Sequence, residues 1–450
     1  MAFDKKLMRE AAKIAVPVAV QILFQSLFGL VDQVMVGGLG SASISAVGAA
    51  VKFVNLYTTM VGAVSGTASI LLAQYAGNAD GDGVGRTLKL GAWLLLAMSA
   101  AFFVPSFAFP EWVMRAFTDD CEVVRVAAVY LRAVAPGFVP LAATGLLSAY
   151  LRIAGQARWP LRSGVAAMAV DTALNIILIR GLLGVPKMGV LGAALSTTAA
   201  RVLECLILLG VLIFAAGRRA PVNWRAPIGR AFWRVAAVIL APTLVGEWVW
   251  GLGEALYGAI YGHIGTEALA ATSAAGALQN MSFSVFVGLS AATAAIVGGR
   301  LGRGQRDEAY QAGRRLYRAG FPLAIGAAAL MLLASPLYLS FFDVPADTRA
   351  VSMRLMAVYA AMLVVKVANL VMMCGILPSG GRTDYGLILN AIGIWGVGLP
   401  LGYMAAFWWK LPLPAVFLLI QSEECVRMAL GWALMRRRKW MRVLTDRATG

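Results

Sequence analysis

The chain carries 39 basic and 22 acidic residues, and the few that fall inside long apolar runs are where chemistry could sit. Asp32 lies in the first such run. An ionised carboxylate is expensive in hydrocarbon, so it lines a cavity, pairs with a cation, or binds a proton or metal cation. Burial also favours the protonated form, which brings proton uptake toward neutral pH. Asp171 and Asn175, in MAVDTALNIILIRG (168–181), are four apart and share a helix face. Their oxygens could coordinate a hard cation such as Na⁺, or hold water for a proton relay. Structural readings stand beside these. Arg201 and Glu204 are three apart and Glu423 and Arg427 four apart, spacings that predict ion pairs. Lys52, Lys366 and Glu424 are further in-span charges; a Lys52 near the acids would favour their ionised form and compete with a cationic ligand. Gln21, Gln25, Asn55 and Asn280 are polar groups that either line a cavity or tie helices together. Pro17 and Pro242 interrupt helical hydrogen bonding and kink their spans; a kink at Pro17 either shapes packing or lets the helix bend as Asp32 changes protonation.

Other chemistries find no residues. His263 is the one histidine, and Cys121, Cys205, Cys374 and Cys425 show no metal-ligand spacing. No phosphate-binding GxxxxGK[ST] pattern occurs, so ATP use is not expected. No enzyme constellation emerges, and the only small cofactor expected is a coupling ion, H⁺ or Na⁺.

The elements that must hold these residues follow from composition. The chain is 60% apolar, with mean hydropathy +0.76 and only 14% charged residues. Windows of about 20 apolar residues mark spanning helices. Twelve are predicted, near 14–36, 45–76, 91–110, 123–151, 164–182, 189–215, 235–258, 267–298, 319–340, 350–377, 386–406 and 414–435. Backbone polar groups in hydrocarbon must be satisfied internally, so the fold class is all-α. The first run lacks a small-residue cleavage site and reads as a retained span. With both termini placed in the cytoplasm, 27 of the 39 basic residues fall on inner segments and eight on outer ones. That bias fits the positive-inside rule and makes the +17 net charge a topology signal, with no nucleic-acid partner implied.

Shifting the chain against itself by 225 residues brings Pro17 onto Pro242, Asn55 onto Asn280, Ser65 onto Ser290, Asp82 onto Asp307 and Gly155 onto Gly380. Six spans per unit make this a parallel repeat about an axis along the membrane normal. The predicted organisation is a six-helix lobe at 1–215, a basic cytoplasmic linker at 216–234, and a second six-helix lobe at 235–450 with a basic tail. Two such bundles facing each other would create a central cleft suited to alternating access.

Here the sequence resembles a known family. GLVDQVMVGGLGSASISAVGAA (29–50) is similar to the first-span signature of the multidrug and toxic compound extrusion (MATE) transporters, an Asp followed by a Val-Gly-x-Leu-Gly-like turn and an Ala-rich second span. AQYAGNADGD (73–82) and GGRLGRGQRDEA (298–309) resemble its cytoplasmic turn in each half, and PKMGVLGAALSTTAAR (186–201) the start of its sixth span. The resemblance covers essentially the whole chain. It implies a secondary active exporter that moves amphipathic, cationic drugs or toxic compounds outward against inward H⁺ or Na⁺. It implies a coupling role for Asp32, and for Asp171, Asn175 and Thr197 as polar partners. The family's order at the fifth-span pair is Asn then Asp, reversed here. Some relatives use an acid in the seventh span, which draws attention to Glu254 and Glu247; Tyr257 stands opposite Asp32 in the repeat. Gln25, Asn55, Lys52 and Asn280 become cavity-lining candidates. A monomer in the bacterial inner membrane, surrounded by lipid, is the expected setting. The alternative is a lipid-linked sugar flippase of the same superfamily, which would need a basic cavity for a pyrophosphate.

Overall fold

The computed structural model describes residues 5–37, 41–118, 120–182, 184–216, 222–340 and 346–444. The first half runs through α1 (Lys5–Gly37), α2 (Ser41–Gly77), α3 (Gly81–Ala108), α4 (Pro110–Arg115), α5 (Cys121–Val134), α6 (Phe138–Ile153), α7 (Arg158–Arg180) and α8 (Val190–Val211). The second half runs through α9 (Arg230–Ile264), α10 (Thr266–Ser284), α11 (Val287–Gly302), α12 (Arg306–Ser340), α13 (Ala346–Leu370), α14 (Asp384–Asn390), α15 (Leu399–Tyr403), α16 (Leu413–Gln421) and α17 (Glu423–Arg436). No strand occurs among the described residues.

Ten helical runs among the described residues are long and apolar enough to cross a membrane. The other two of the twelve spans are α1, 33 residues or ~50 Å at 1.5 Å per residue, and the α16–α17 run, whose helices meet at Ser422 beside Glu423 and Glu424. The fold is thus an all-α membrane protein of twelve spans in two six-helix halves. The repeat is visible in the helix starts: α3 begins at residue 81 and α12 at residue 306, the same 225-residue shift. One departure is local. The long α2 is continuous, whereas its counterpart is interrupted between Ser284 and Val287 to give α10 and α11.

The chain forms two compact units, Val20–Ile228 and Gly229–Gly450 together with Met1–Ala19. Helix α1 therefore contributes its first turns to one unit and the rest to the other, the change falling two residues after the buried Pro17. Its opening turns are held by packing: Leu7 and Ala11 join a core with Leu289, Ala292, Ile296, Leu316, Val371 and Trp440. Contact is closest at Gly288, where an added Cβ would overlap the Ala15 carbonyl oxygen and lie 2.9 Å from the Ala19 nitrogen. Glu10 and Arg300 add a partly exposed ion pair at 3.8 Å.

Within the spans, many hydroxyls find partners on their own helices, which spares them unsatisfied burial in hydrocarbon. Thr58, Thr87, Ser99, Thr243, Thr272, Thr293 and Ser335 each donate to the carbonyl four residues earlier. Side-chain caps start the helices that leave polar turns: Asp80 accepts from Gly83 N at 2.9 Å before α3, and Asp120 from Glu122 N at 2.9 Å before α5.

Each unit is also closed by the segment that trails its last helix. In the Val20–Ile228 unit, Asn223 donates to Asp82 at 2.9 Å, and Lys89 donates to the Ala226 carbonyl. In the other, Arg438 bonds Asp307, the repeat equivalent of Asp82, at 2.8 Å and stacks over Tyr310. Trp440 is fully buried there.

Because nothing but backbone can give way at Gly288, Gly288→Val should detach the opening turns of α1 and cost roughly 1–3 kcal/mol, as overpacking does. Thermal unfolding in detergent, followed by tryptophan fluorescence, should show a lowered Tm. Gly62→Ala, where a new Cβ meets nothing within 4 Å, should leave it unchanged.

Candidate functional site

In the Val20–Ile228 unit, α7 and α8 form a long antiparallel contact that sets the polar residues of both face to face. Asp171 and Asn175 lie on one face of α7, 8% and 2% exposed. The side chain that reaches Asn175 is Ser196, whose hydroxyl donates to Asn175 Oδ1 at 2.6 Å. Thr197, the neighbour singled out from sequence, is half-buried and turns its hydroxyl to Ala193 O on its own helix. Thr198 instead crosses to the Ala133 carbonyl at 2.8 Å, where the chain loosens around Pro136 between α5 and α6. The run Ser196-Thr197-Thr198 was the available signal; which hydroxyl meets α7 depends on how α8 is rotated, which spacing alone does not give.

Deeper along the same face, the expected Arg201–Glu204 pair is not formed. Arg201 Nη1 and Glu204 Oε1 are both buried without a hydrogen-bond partner. Arg201 lies in electrostatic reach of Tyr130, Tyr57, Asp171 and Glu204. Glu204 faces the start of this unit's part of α1: a Cβ on Gly164 would sit 3.5 Å from Glu204 Oε1 and 3.6 Å from Gln21 Nε2. Two residues separate them on α8, and each side chain extends to a different neighbour: a Cβ on Gly137 would sit 3.1 Å from Arg201 Cδ, whereas Glu204 lies by Gly164. The Asp32 side chain lies outside the described residues, although its backbone belongs to α1. Gln25, Lys52 and Asn55 are exposed on their unit and join no buried cluster.

The other unit holds a denser polar site. Glu423, Glu424 and Arg427 on α17 are 3%, 5% and 6% exposed. Arg427 bonds Glu423 Oε1 at 2.7 Å, the pair expected from their spacing, and Glu424 Oε1 at 2.9 Å. Lys366 of α13 reaches Glu424 Oε1 at 3.0 Å, and Asn369 donates to Glu424 Oε2 at 2.7 Å. Asn390 accepts from Arg427 Nη1 at 2.9 Å. Two cations and two anions thus neutralise one another. The tenth span makes a wide π turn at Val371–Ile376 and the eleventh at Ala391–Gly398. Gly393 in the latter admits the Arg427 stem, which a Cβ would meet at 2.6 Å. At Gly398 a Cβ would overlap the buried Tyr257 hydroxyl and lie 3.2 Å from Glu423 Oε2. Tyr257 therefore stands against the cluster, whereas Glu254 is exposed on its unit yet within electrostatic reach of Lys366 and Arg427. Glu247 is half-buried, Asn280 is exposed, and Pro242 is half-buried within an unbroken α9. Sequence reading flagged each of these charges but did not bring Lys366 to α17, because that contact joins residues 58 apart.

A family model, MatE, matches residues 17–177 and again 242–404. The chain belongs to the MatE family. The two matches begin 225 residues apart, on Pro17 and Pro242, which is the repeat distance found in the sequence and in the helix starts. A Burkholderia mallei protein named probable multidrug resistance protein NorM is 27% identical over 97% of this chain and 94% of its own length. A Bradyrhizobium diazoefficiens protein of the same name is 29% identical over 88% of this chain and 86% of its own. The crystal structure of a MATE in the straight conformation superposes with a TM-score of 0.88, over 98% of this chain and 97% of that one at 18% identity, a likeness of fold.

Removing one member of a buried ion cluster leaves an uncompensated charge, typically at a cost of ~3–5 kcal/mol. Arg427→Met should therefore lower the Tm sharply, and adding Glu423→Gln should restore part of it. A double variant as unstable as the single one would show that the pair is not coupled.

Proposed function

We propose that the protein is a secondary active multidrug exporter of the bacterial inner membrane. It would move amphipathic, cationic compounds outward by alternating access, driven by H⁺ or Na⁺ moving inward, with both termini cytoplasmic. The observation that carries this reading is the buried Asp171–Asn175–Ser196 group on α7 and α8 of a MatE-family chain. It sets a carboxylate, an amide oxygen and a hydroxyl together in a span, and these are donors suited to a proton or a hard cation. The names of the Burkholderia and Bradyrhizobium relatives, multidrug resistance proteins, support the substrate class. Asp32 is the second coupling acid, and Pro17 the point at which α1 would bend. Each net charge moved inward yields about 2.3 kcal/mol per 100 mV, roughly a fiftyfold gradient; a monovalent cation exported one-for-one moves no net charge and is driven by the ion's concentration gradient alone.

The flippase reading needs free cations to hold a pyrophosphate. Lys366 and Arg427 are instead bound to Glu424 and Glu423 within their own unit, and Arg201, in the other, lies in electrostatic reach of the acids Asp171 and Glu204. That arrangement favours the exporter.

Everted vesicles test the proposal. A cationic dye added to energised vesicles should collapse a pH gradient, or a Na⁺ gradient if Na⁺ is the driver. Asp171→Asn and Asp32→Asn should reduce the response to that of vesicles lacking the protein, with insertion intact. Normal coupled efflux in Asp171→Asn would return that residue to a structural role, and gradient-independent lipid scrambling would select the flippase. Ser196→Ala removes one hydrogen bond from Asn175, worth about 1 kcal/mol, and should weaken the apparent affinity for the coupling ion roughly fivefold. An ion titration of dye efflux measures it.

A further inference from the structure

An open cleft of ≈ 370 Å³ lies between α12 and α17, lined by Tyr317, Arg318, Phe321, Met428, Ala429 and Trp432. Its position is amphipathic along the membrane normal. α12 enters the membrane from the basic segment that begins at Arg306, and α17 leaves it toward the basic run Arg436–Lys439. Phe321 and Met428 therefore mark the apolar end, one turn further into the span than Arg318 and Trp432. Tyr317 forms the floor, stacked on Trp432 with ring centroids 5.5 Å apart and meeting Phe321 edge-on at 5.3 Å. At the polar end Arg318 lines the cleft, and the Arg436 guanidinium stands 5.8 Å over the Trp432 ring. Among the described residues no ion pair engages Arg318 or Arg436, and Asp307 at the start of α12 is bonded to Arg438.

We propose that this cleft is a specific site for an anionic phospholipid, its acyl chain against Phe321, Met428 and Trp432 and its phosphate between Arg318 and Arg436. Two guanidiniums at the mouth repel the cationic amphiphiles assigned above as substrates, so the cleft and the transport site select opposite charges. A headgroup phosphate gives each arginine a charge-assisted acceptor, and the wall supplies the apolar contact that a free phosphate could not use. The assignment uses the cytoplasmic placement of the basic segments only to fix the leaflet; binding itself is independent of the exporter reading.

The test uses the full-length protein, purified in detergent and stripped of lipid, with native mass spectrometry counting lipids retained. Phosphatidylglycerol and phosphatidylcholine with the same acyl chains are the probes. The intact protein should retain one phosphatidylglycerol at concentrations where phosphatidylcholine is lost. Arg318→Gln and Arg436→Gln should each weaken phosphatidylglycerol roughly fivefold and leave phosphatidylcholine unchanged. Ala429→Trp, which fills the cleft without altering charge, should abolish the preference. Arg115→Gln, on α4 of the other unit, should not. Equal retention of the two lipids by the intact protein would overturn the proposal. So would a preference that survives both the arginine substitutions and Ala429→Trp, or retention of oleate in place of either phospholipid.

Discussion

Hydrocarbon offers a polar group no water, so each one carried into a span must be matched inside the protein, and most of the architecture can be traced to that demand. Many hydroxyls solve it locally by bonding back to their own helices, and Ser196 and Thr198 reach across to neighbours. The charges cannot, and they organise their surroundings. Arg427 needs room for a long stem, so Gly393 lies against it and the eleventh span widens into a π turn. Glu424 draws Lys366 and Asn369 from α13, tying that helix to α17. The result is a cluster whose worth lies less in net stability than in fixing which helix faces meet, since a buried ion pair roughly offsets its own desolvation.

The two halves share a helix frame and differ in where they place charge. Asp171 and Asn175 correspond to Gly396 and Pro400 across the repeat, and Arg201 to Val426. Conversely, Lys366 corresponds to Leu141, and Glu423 to Thr198. The backbone plan is thus duplicated and the chemistry is not. One half carries a neutralised cluster, and the other keeps Arg201 and Glu204 apart beside a buried Asp171. The fixed cations of the first are bound by hydrogen-bonded carboxylates, whereas in the second Arg201 stands in electrostatic reach of Asp171 without pairing to it.

Much of the fold was readable before any coordinates. Apolar run lengths located the spans, and Pro17 and Pro242 gave the register of the repeat. These signals are local or periodic. What spacing could not supply was rotation. Whether Ser196 or Thr197 meets Asn175 turns on tens of degrees about the α8 axis, and whether Arg201 pairs with Glu204 depends on which neighbours compete for each side chain. The interruption between α10 and α11 was equally hidden, because its repeat partner within α2 is continuous. The Glu423–Arg427 pair was legible because both ends lie on one helix.

The trailing segments decide where the chain could be interrupted. The stretch around Asn223 closes one half on Asp82, and the stretch from Arg438 to Trp440 closes the other on Asp307. The repeat does not dictate these residues, since Asn223 falls on Ala448 and Arg438 on Ile213 across it. Each half has arrived at its own clasp with its own side chains. A break between Ile228 and Gly229 would leave both clasps whole, so two separately made halves would each keep the bonds that cover the start of their third span.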